Sequence, residues 1–276
     1  MADLAVIMST YIYDKLDYLE ESVYSILNQT YRNFIFFIAM DGPVSPSCEN
    51  FLINLKDSRI RIFRLEKNEG LAVALNLLLR NVLKEPGIEY IARMDADDIS
   101  EPVRFYVQRN FLIKNVEVDC IGSWAKKIDD RGNEIAEYKM PTQHDKIKRR
   151  FLFRAAIIHP SVMFRKKFIL KAGFYPEDAN LMEDTVLWGR AFKKGLVFAN
   201  LNRNLLKFRI DNLFFERRSG LKYGFNLIKK RFIINYLLKT NLTCYLWVTL
   251  IGIIKMLPPT ILKTIYIINH RLDIIE

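Results

Sequence analysis

"YIARMDADDIS", residues 90–100, runs an apolar stretch, Tyr90 to Met94, directly into three carboxylates, Asp95, Asp97 and Asp98. Such a run stopping at acids reads as a buried strand that emerges at a polar surface. Upstream, "LAVIMSTY" (4–11), "NFIFFIAMDG" (33–42) and "RIRIFRLE" (59–66) have the same strand character. Between them, "YLEESVYSILNQT" (18–30) puts Leu19, Val23, Ile26 and Leu27 at helical spacing. A further helix is expected near 46–56, and "LAVALNLLLRNVL" (71–83) follows the loop "KNEG" (67–70). Nearly continuous apolar strands separated by helices indicate βαβ units, hence an α/β fold with a Rossmann-like, mostly parallel sheet covered on both faces. Sheets of this kind bind ligands at the carboxyl ends of their strands. Asp41 and the Asp95–Asp98 cluster both fall at such ends.

Beyond the cluster the pattern predicts a helix near 102–115, a strand over "VDCIGSWAKKID" (118–129) and a hairpin turn in "DDRGNEI". "AAIIHPSVMFR" (155–165) mixes strand character with a proline break. "MEDTVLWGRAFKKG" (182–195) is a short amphipathic helix closed by Gly195, and residues 198–210 are extended. There is no internal repeat and no low-complexity linker. The chain has 276 residues, 50% hydrophobic and 26% charged. That suffices for a large core and excludes a disordered protein. Cys48, Cys120 and Cys244 are odd in number and widely separated, so they form neither a disulfide framework nor a metal cluster, and a reducing compartment is expected. Residues 1–4 show no secretory signal pattern.

The net charge of +11 is unevenly placed: residues 217–276 carry ten Lys or Arg against two acids, a net of +8. This predicts a boundary near Phe215, with an α/β unit over 1–215 and a basic helical extension over 216–276. In "RRSGLKYGFNLIKKRFIINYLLK" (217–239) the cations alternate with Leu221, Phe225, Ile228, Phe232 and Tyr236 near helical spacing. A basic amphipathic helix with aromatics reads as binding an anionic membrane surface, or as a helical subdomain packed on the core. "LTCYLWVTLIGII" (242–254) is apolar over 13 residues, short of the roughly 20 a spanning helix needs, which favours an interfacial or re-entrant hairpin. The apolar content between the charges argues against nucleic acid.

Asp95 and Asp97 are two apart on a strand end, so both can present oxygens to one point. Hard cations such as Mg²⁺ are held by one or two carboxylates together with phosphate oxygens and water. The same acids could instead start a turn or cap the helix expected from Pro102. Asp41, before Gly42-Pro43, could accept hydrogen bonds from a nucleobase or make an Asx turn. Glu183-Asp184 could cap their helix or supply a general base. His159, beside Pro160, could contact a phosphate or an acceptor, or be structural.

Read in order, "VIMSTY" (6–11), "SVYSILNQTYRNF" (22–34), "MDG" (40–42), "NEGLAVALN" (68–76), "YIARMDADDISEPVRF" (90–105), "IGSW" (121–124), "IIHPSVMFR" (157–165) and "MEDTVLWGRAFKKG" (182–195) resemble glycosyltransferase family 2 of the bacterial surface-polysaccharide type. The resemblance spans roughly residues 4–210. It implies a GT-A catalytic domain over 1–215, with a nucleotide-sugar-binding half about 1–100 and an acceptor half about 101–215, a nucleotide-sugar donor, usually a UDP-sugar, and transfer of a hexosyl or N-acetylhexosaminyl group with inversion at the anomeric carbon. Carried over, Tyr11 and Asp41 would contact the uracil, and Asn68 and Gly70 would lie in a nucleotide-facing loop. Asp95 would face the ribose or the metal, and Asp97 would be the principal ligand of a divalent cation, Mg²⁺ or Mn²⁺. Asp98 would contact the donor sugar or cap the next helix. Asp184 would be the base, with Glu183, His159 and Trp124 on the acceptor side or behind it. Met40 stands where many members have a first acid, and Ile12 where many have Asn. The resemblance further implies a lipid-linked glycan acceptor, carried on polyprenyl diphosphate at the cytoplasmic face of the plasma membrane, in synthesis of O-antigen, capsule or exopolysaccharide. Two rivals stand beside this reading. A sugar-nucleotide nucleotidyltransferase would carry a glycine-rich phosphate loop after the first strand, whereas "MSTYIYDKLDY" (8–18) has no glycine. A catalytically inactive membrane-bound scaffold would not need Asp41, Asp95, Asp97 and Asp184 together.

Overall fold

A computed structural model describes residues 2–179, 181–210, 216–262 and 264–265. The boundary expected near Phe215 and the last eleven residues of the basic tail lie outside the described residues. The chain begins β1 (Leu4–Thr10), α1 (Leu16–Leu27), β2 (Phe34–Met40), α2 (Pro46–Asn54), β3 (Ile60–Arg64), α3 (Leu71–Val82), β4 (Tyr90–Asp95). These four strands are mutually parallel in the order β3-β2-β1-β4, with Leu4 opposite both Phe34 and Tyr90. The alternation expected of two-sided burial is present in β1 itself. Ala5 and Ile7 join a core formed with α3, while Leu4, Val6 and Met8 join a core formed with α1 and α2.

The second half is β5 (Ile99–Ser100), α4 (Arg104–Lys114), β6 (Cys120–Ile128), β7 (Glu134–Tyr138), α5 (His144–Phe151), a 3₁₀ turn at His159–Ser161, β8 (Met163–Arg165), α6 (Lys166–Ala172), α7 (Glu183–Lys193) and β9 (Phe198–Arg209). It extends the sheet to the order β3-β2-β1-β4-β8-β6-β9-β5, with β7 paired to β6. The short β8 is antiparallel to both β4 and β6, so it is a single reversed strand between two parallel parts that run in the same direction. β6 and β9 then run parallel with register shifts around Trp124.

Two more helices follow, α8 (Leu221–Leu237) and α9 (Leu242–Lys255). They form a hairpin held by small residues. A Cβ on Gly224 would lie 2.6 Å from the Gly252 carbonyl oxygen, and one on Gly252 would lie 2.3 Å from Ile228. The inner face of α8 docks on the catalytic unit: Ile234 packs against Gly189 of α7, Lys230 donates to Asp178 at 2.6 Å, and Arg231 donates to the Phe151 carbonyl at 2.6 Å. Two of the tail's cations are therefore spent on docking. The outer face remains apolar and exposed at Leu221, Phe225, Tyr236, Leu242, Leu246 and Leu250. Among the described residues, no helix is long and apolar enough to cross a membrane.

Candidate active site

The parallel strands β1, β2 and β4 end side by side. Thr10 lies opposite Met40 and Ser9 opposite Asp95, so Tyr11, Asp41 and Asp95 occupy one rim of the sheet. Oxygens of Asp95, Asp97 and Asp98 come within 4.8 Å of one another. Three like charges this close repel, and the surrounding residues show how the cluster is held.

Helix α1 supplies one brace. Ser22, Ser25 and Gln29 recur on one helical face. Ser22 donates to the Asp95 carbonyl at 2.7 Å, Ser25 accepts from the Ser100 amide at 3.0 Å, and Gln29 bonds Ser100, the Glu101 carbonyl and the Phe105 amide. The polar positions of "SVYSILNQT" thus fix the acidic loop from below.

Two arginines, neither singled out from the sequence, supply the counter-charge. Arg93 is 2% exposed and sits two residues before Asp95, on the same side of β4; the two form a close ion pair. Arg209 ends β9 and is also almost fully buried. Its Nε donates to the Asp97 carbonyl at 2.9 Å, its backbone N–H to the Asp98 carboxylate at 2.8 Å, and its other nitrogens to the Asp129 carbonyl at 3.1 Å and the Glu21 carboxylate. The guanidinium also lies over the Tyr18 ring, 4.1 Å from the centroid. Asp98 is 1% exposed, and its second oxygen, Oδ2, has no hydrogen-bond partner. Burial, with the charges of Asp97 and Asp95 beside it, pushes this carboxyl well above the usual range. Asp98 does not cap α4, whose N-cap position is Val103.

A further acid, Asp14, belongs to the same rim. It accepts the Tyr11 amide at 3.0 Å, and burial, with Asp97 and Asp95 adding repulsion, raises its pKa to about 7. Tyr11 packs edge-on against Tyr13, and its hydroxyl accepts from Arg217 at 3.1 Å. The first described residues of the C-terminal extension therefore reach back to the strand ends.

Asp41 is 3% exposed and organises the 67–70 loop. Its Oδ1 accepts the Glu69 amide at 2.8 Å and its Oδ2 the Gly70 amide at 3.0 Å. Gly42 makes this approach possible: φ is +77°, and a Cβ there would lie 2.4 Å from the Asn68 nitrogen. Asn68 is exposed, and Gly70 takes φ +93° as α3 begins.

The acids Glu183 and Asp184 form the first turn of α7, one residue inside the helix start. Asp184 is half-buried and accepts the Thr185 amide and hydroxyl, the latter at 3.1 Å. Glu183 is buried, and desolvation together with the Asp184 charge raises its pKa to about 7; Arg93 and Arg218 pull it the other way. Arg93 thus links the α7 acids electrostatically to the β4 cluster. His159 is packed against Tyr175 and Trp188, with its Nε2 2.8 Å from the Tyr175 hydroxyl. Burial and the Arg93 charge push it well below its ordinary pKa, so it is neutral. Trp124 donates its indole N–H to the Met140 carbonyl at 2.8 Å.

The donor set fits a hard divalent cation. It is all carboxylate oxygen, it converges, and its most buried member has an oxygen without a hydrogen-bond partner. Asp95 is the most committed of the three, through Arg93.

A parallel Rossmann-like half joined through one antiparallel strand to a second parallel pair, with acids at the strand ends, is the architecture of the GT-A fold. The S. aureus TarS 1–349 structure in complex with UDP shares this fold, with a TM-score of 0.61 and 17% identity, over 86% of this chain and 71% of that one. The family model for glycosyl transferase family 2 matches residues 5–174, and the chain belongs to that family. It is 34% identical to the Escherichia coli O-antigen biosynthesis glycosyltransferase WbnJ, over 85% of this chain and 92% of the relative. It is 29% identical to the Escherichia coli UDP-Gal:alpha-D-GlcNAc-diphosphoundecaprenol beta-1,3-galactosyltransferase, over 83% of this chain and 82% of that one.

Proposed function

We propose that this glycosyltransferase transfers a hexosyl or N-acetylhexosaminyl group from a UDP-sugar, with inversion, to a saccharide carried on polyprenyl diphosphate, in synthesis of a bacterial surface polysaccharide. The observation that carries the reading is the convergence of Asp95, Asp97 and Asp98 at the β4 strand end, with Arg93 acting electrostatically both on this cluster and on Glu183 of the α7 acid pair. The two Escherichia coli relatives, one named for O-antigen synthesis and one for a diphosphoundecaprenol-linked acceptor, support the pathway and acceptor class. The UDP complex of the TarS structure supports the donor class.

In this reading Tyr11 packs on the uracil from one side. Asp41 shapes the loop that carries Asn68 and Gly70, and with three backbone N–H contacts on its oxygens it keeps acceptor capacity for a base N–H. Asp97 would be the principal ligand of Mg²⁺ or Mn²⁺, Asp95, steadied by Arg93, would face the ribose or the ion, and Asp98, converging on the same point, would complete the carboxylate set or contact the donor sugar. The bound cation would act as a Lewis acid that stabilises the departing diphosphate. Asp184 takes the proton from the acceptor hydroxyl as it attacks the anomeric carbon. One carboxylate base suffices for such a direct displacement, whereas a glycosidase would place two carboxyl groups about the bond. Glu183, its pKa raised to about 7 by burial and by the Asp184 charge, is only partly ionised near neutral pH, which lowers its repulsion on Asp184. His159 and Trp124 act behind the acceptor side by fixing the Tyr175, Trp188 and Met140 surroundings.

Residues 1–215 then form the catalytic domain and 216–276 the part that seats it, peripherally, on the anionic inner face of the plasma membrane. The test is release of UDP from a panel of UDP-sugars by the full chain, with and without Mg²⁺ or Mn²⁺ and a lipid-linked acceptor. Metal-dependent release that Asp97→Asn abolishes is expected. Silence across the panel and acceptors would favour an inactive scaffold.

A further inference from the structure

At the corner where α7 ends and α8 turns into α9, a groove of about 460 Å³ is lined by Lys193, Tyr236, Leu237, Lys239, Thr240 and Tyr245. Lys193 and Lys239 are exposed and supply two positive charges. No acid occurs in the sequence between Arg217 and Arg271. The start of α9, whose amide dipoles carry partial positive charge and whose Cys244 amide is capped by the Asn241 side chain, lies at the same corner, between Thr240 and Tyr245.

Two features mark the corner as more than a surface dip. Lys239 adopts φ +52°, the left-handed conformation that ends helices and that glycine adopts at least cost, so α8 stops here with a lysine at the turn. Thr240 Oγ1 is buried without a hydrogen-bond partner although its residue lines the groove, and such groups normally have partners in a folded protein.

The groove opens beside an apolar stripe. Leu242, Leu246, Leu250 and Ile253 recur along α9 at 72%, 63%, 50% and 54% exposure. A charged, hydroxyl-lined pocket at the head of an exposed apolar stripe matches one ligand type, an amphiphile with an anionic head and acyl chains. We infer that this corner is a binding site for the phosphate headgroup of an anionic phospholipid in the bilayer surface, its acyl chains running beside the α9 stripe. The inference rests on the membrane-surface reading above and deepens it. Helix α7 sets the geometry: Lys193 closes it and Glu183-Asp184 open it, ten residues and about 15 Å apart at 1.5 Å per residue. A headgroup in the groove fixes the bilayer surface close to the acids that would meet an acceptor emerging from it.

The test is flotation of the full chain with vesicles of phosphatidylcholine alone and of phosphatidylcholine mixed with phosphatidylglycerol. The Lys193→Gln/Lys239→Gly variant removes both charges, and the glycine relieves the left-handed backbone, so its melting temperature should equal or exceed that of the unmodified chain. It should lose roughly tenfold or more in affinity for the anionic vesicles, while Lys193→Arg/Lys239→Arg retains binding. Unchanged binding by the Gln/Gly variant, with the unmodified chain bound, overturns the headgroup site and leaves the membrane reading intact. No flotation of the unmodified chain with either vesicle overturns both. Displacement by millimolar inorganic phosphate, at ionic strength matched with chloride, would make this a free-phosphate site and overturn the lipid assignment.

Discussion

Replacing Arg209 by Lys tests whether the acidic loop is held by one guanidinium. Arg209 spreads its donors over the Asp97 carbonyl, the Asp129 carbonyl and the Glu21 carboxylate, and stacks on Tyr18. A lysine has one nitrogen at the end of a flexible stem and cannot reach three acceptors that diverge in this way. If it keeps Glu21, two carbonyl bonds are lost at about 1 kcal/mol each, and part of the ring contact goes with them. The expected cost is about 2–3 kcal/mol by urea denaturation. The loosened Asp97 backbone should also weaken metal-dependent UDP binding by roughly tenfold or more, since ligand groups must be held in register. A variant within about 0.5 kcal/mol of the unmodified protein, with unchanged UDP affinity, would refute the clamp.

Gly42→Ala puts a methyl 2.4 Å from the Asn68 nitrogen at φ +77°; it should cost more than about 1 kcal/mol in a urea melt and weaken UDP binding by displacing the 67–70 loop. Asp184→Asn should lower turnover by roughly 10²–10⁴ with little change in donor affinity, measured by steady-state kinetics and calorimetry. Glu183 titrates near pH 7 in the folded chain, above its ordinary value, so folding stability attributable to it is present at acid pH and lost as pH rises from about 4.5 through 7. Glu183→Gln should therefore raise the melting temperature little at pH 5 and clearly at pH 8; a pH-independent difference would contradict the assignment.

Strand positions were legible because parallel strands buried on both faces read as unbroken apolar runs, and each of β1 to β4 lies within its predicted stretch. The order β4-β8-β6-β9 was not, since it depends on pairings between residues up to 81 apart, such as Ile128 opposite Arg209, that no local pattern encodes. The same division holds at the rim. Asp41, Asp95 and Asp97 announce themselves by ending strands, but their cations do not. Arg93 carried a usable signal, a charge inside a buried run two residues before an acid. Arg209 carried none, because its partners at Glu21, Asp97 and Asp129 lie 80 or more residues away. Asp14 carries no local signal; only the fold brings it beside Asp97. In the tail, alternation of charge and apolar residues predicted a helix, yet not that Lys230 and Arg231 face inward to dock it.

The central claim is a donor site built on a carboxylate-held cation at the β4 strand end. Calorimetry of UDP binding to the full chain, in Mn²⁺ and in EDTA, with Asp97→Asn alongside, addresses it most directly. The account predicts binding in Mn²⁺ that weakens by roughly 100-fold, about 2.7 kcal/mol, in EDTA and equally in the variant. Equal affinity in EDTA and Mn²⁺, or an Asp97→Asn variant that binds UDP as the unmodified chain does, would contradict it.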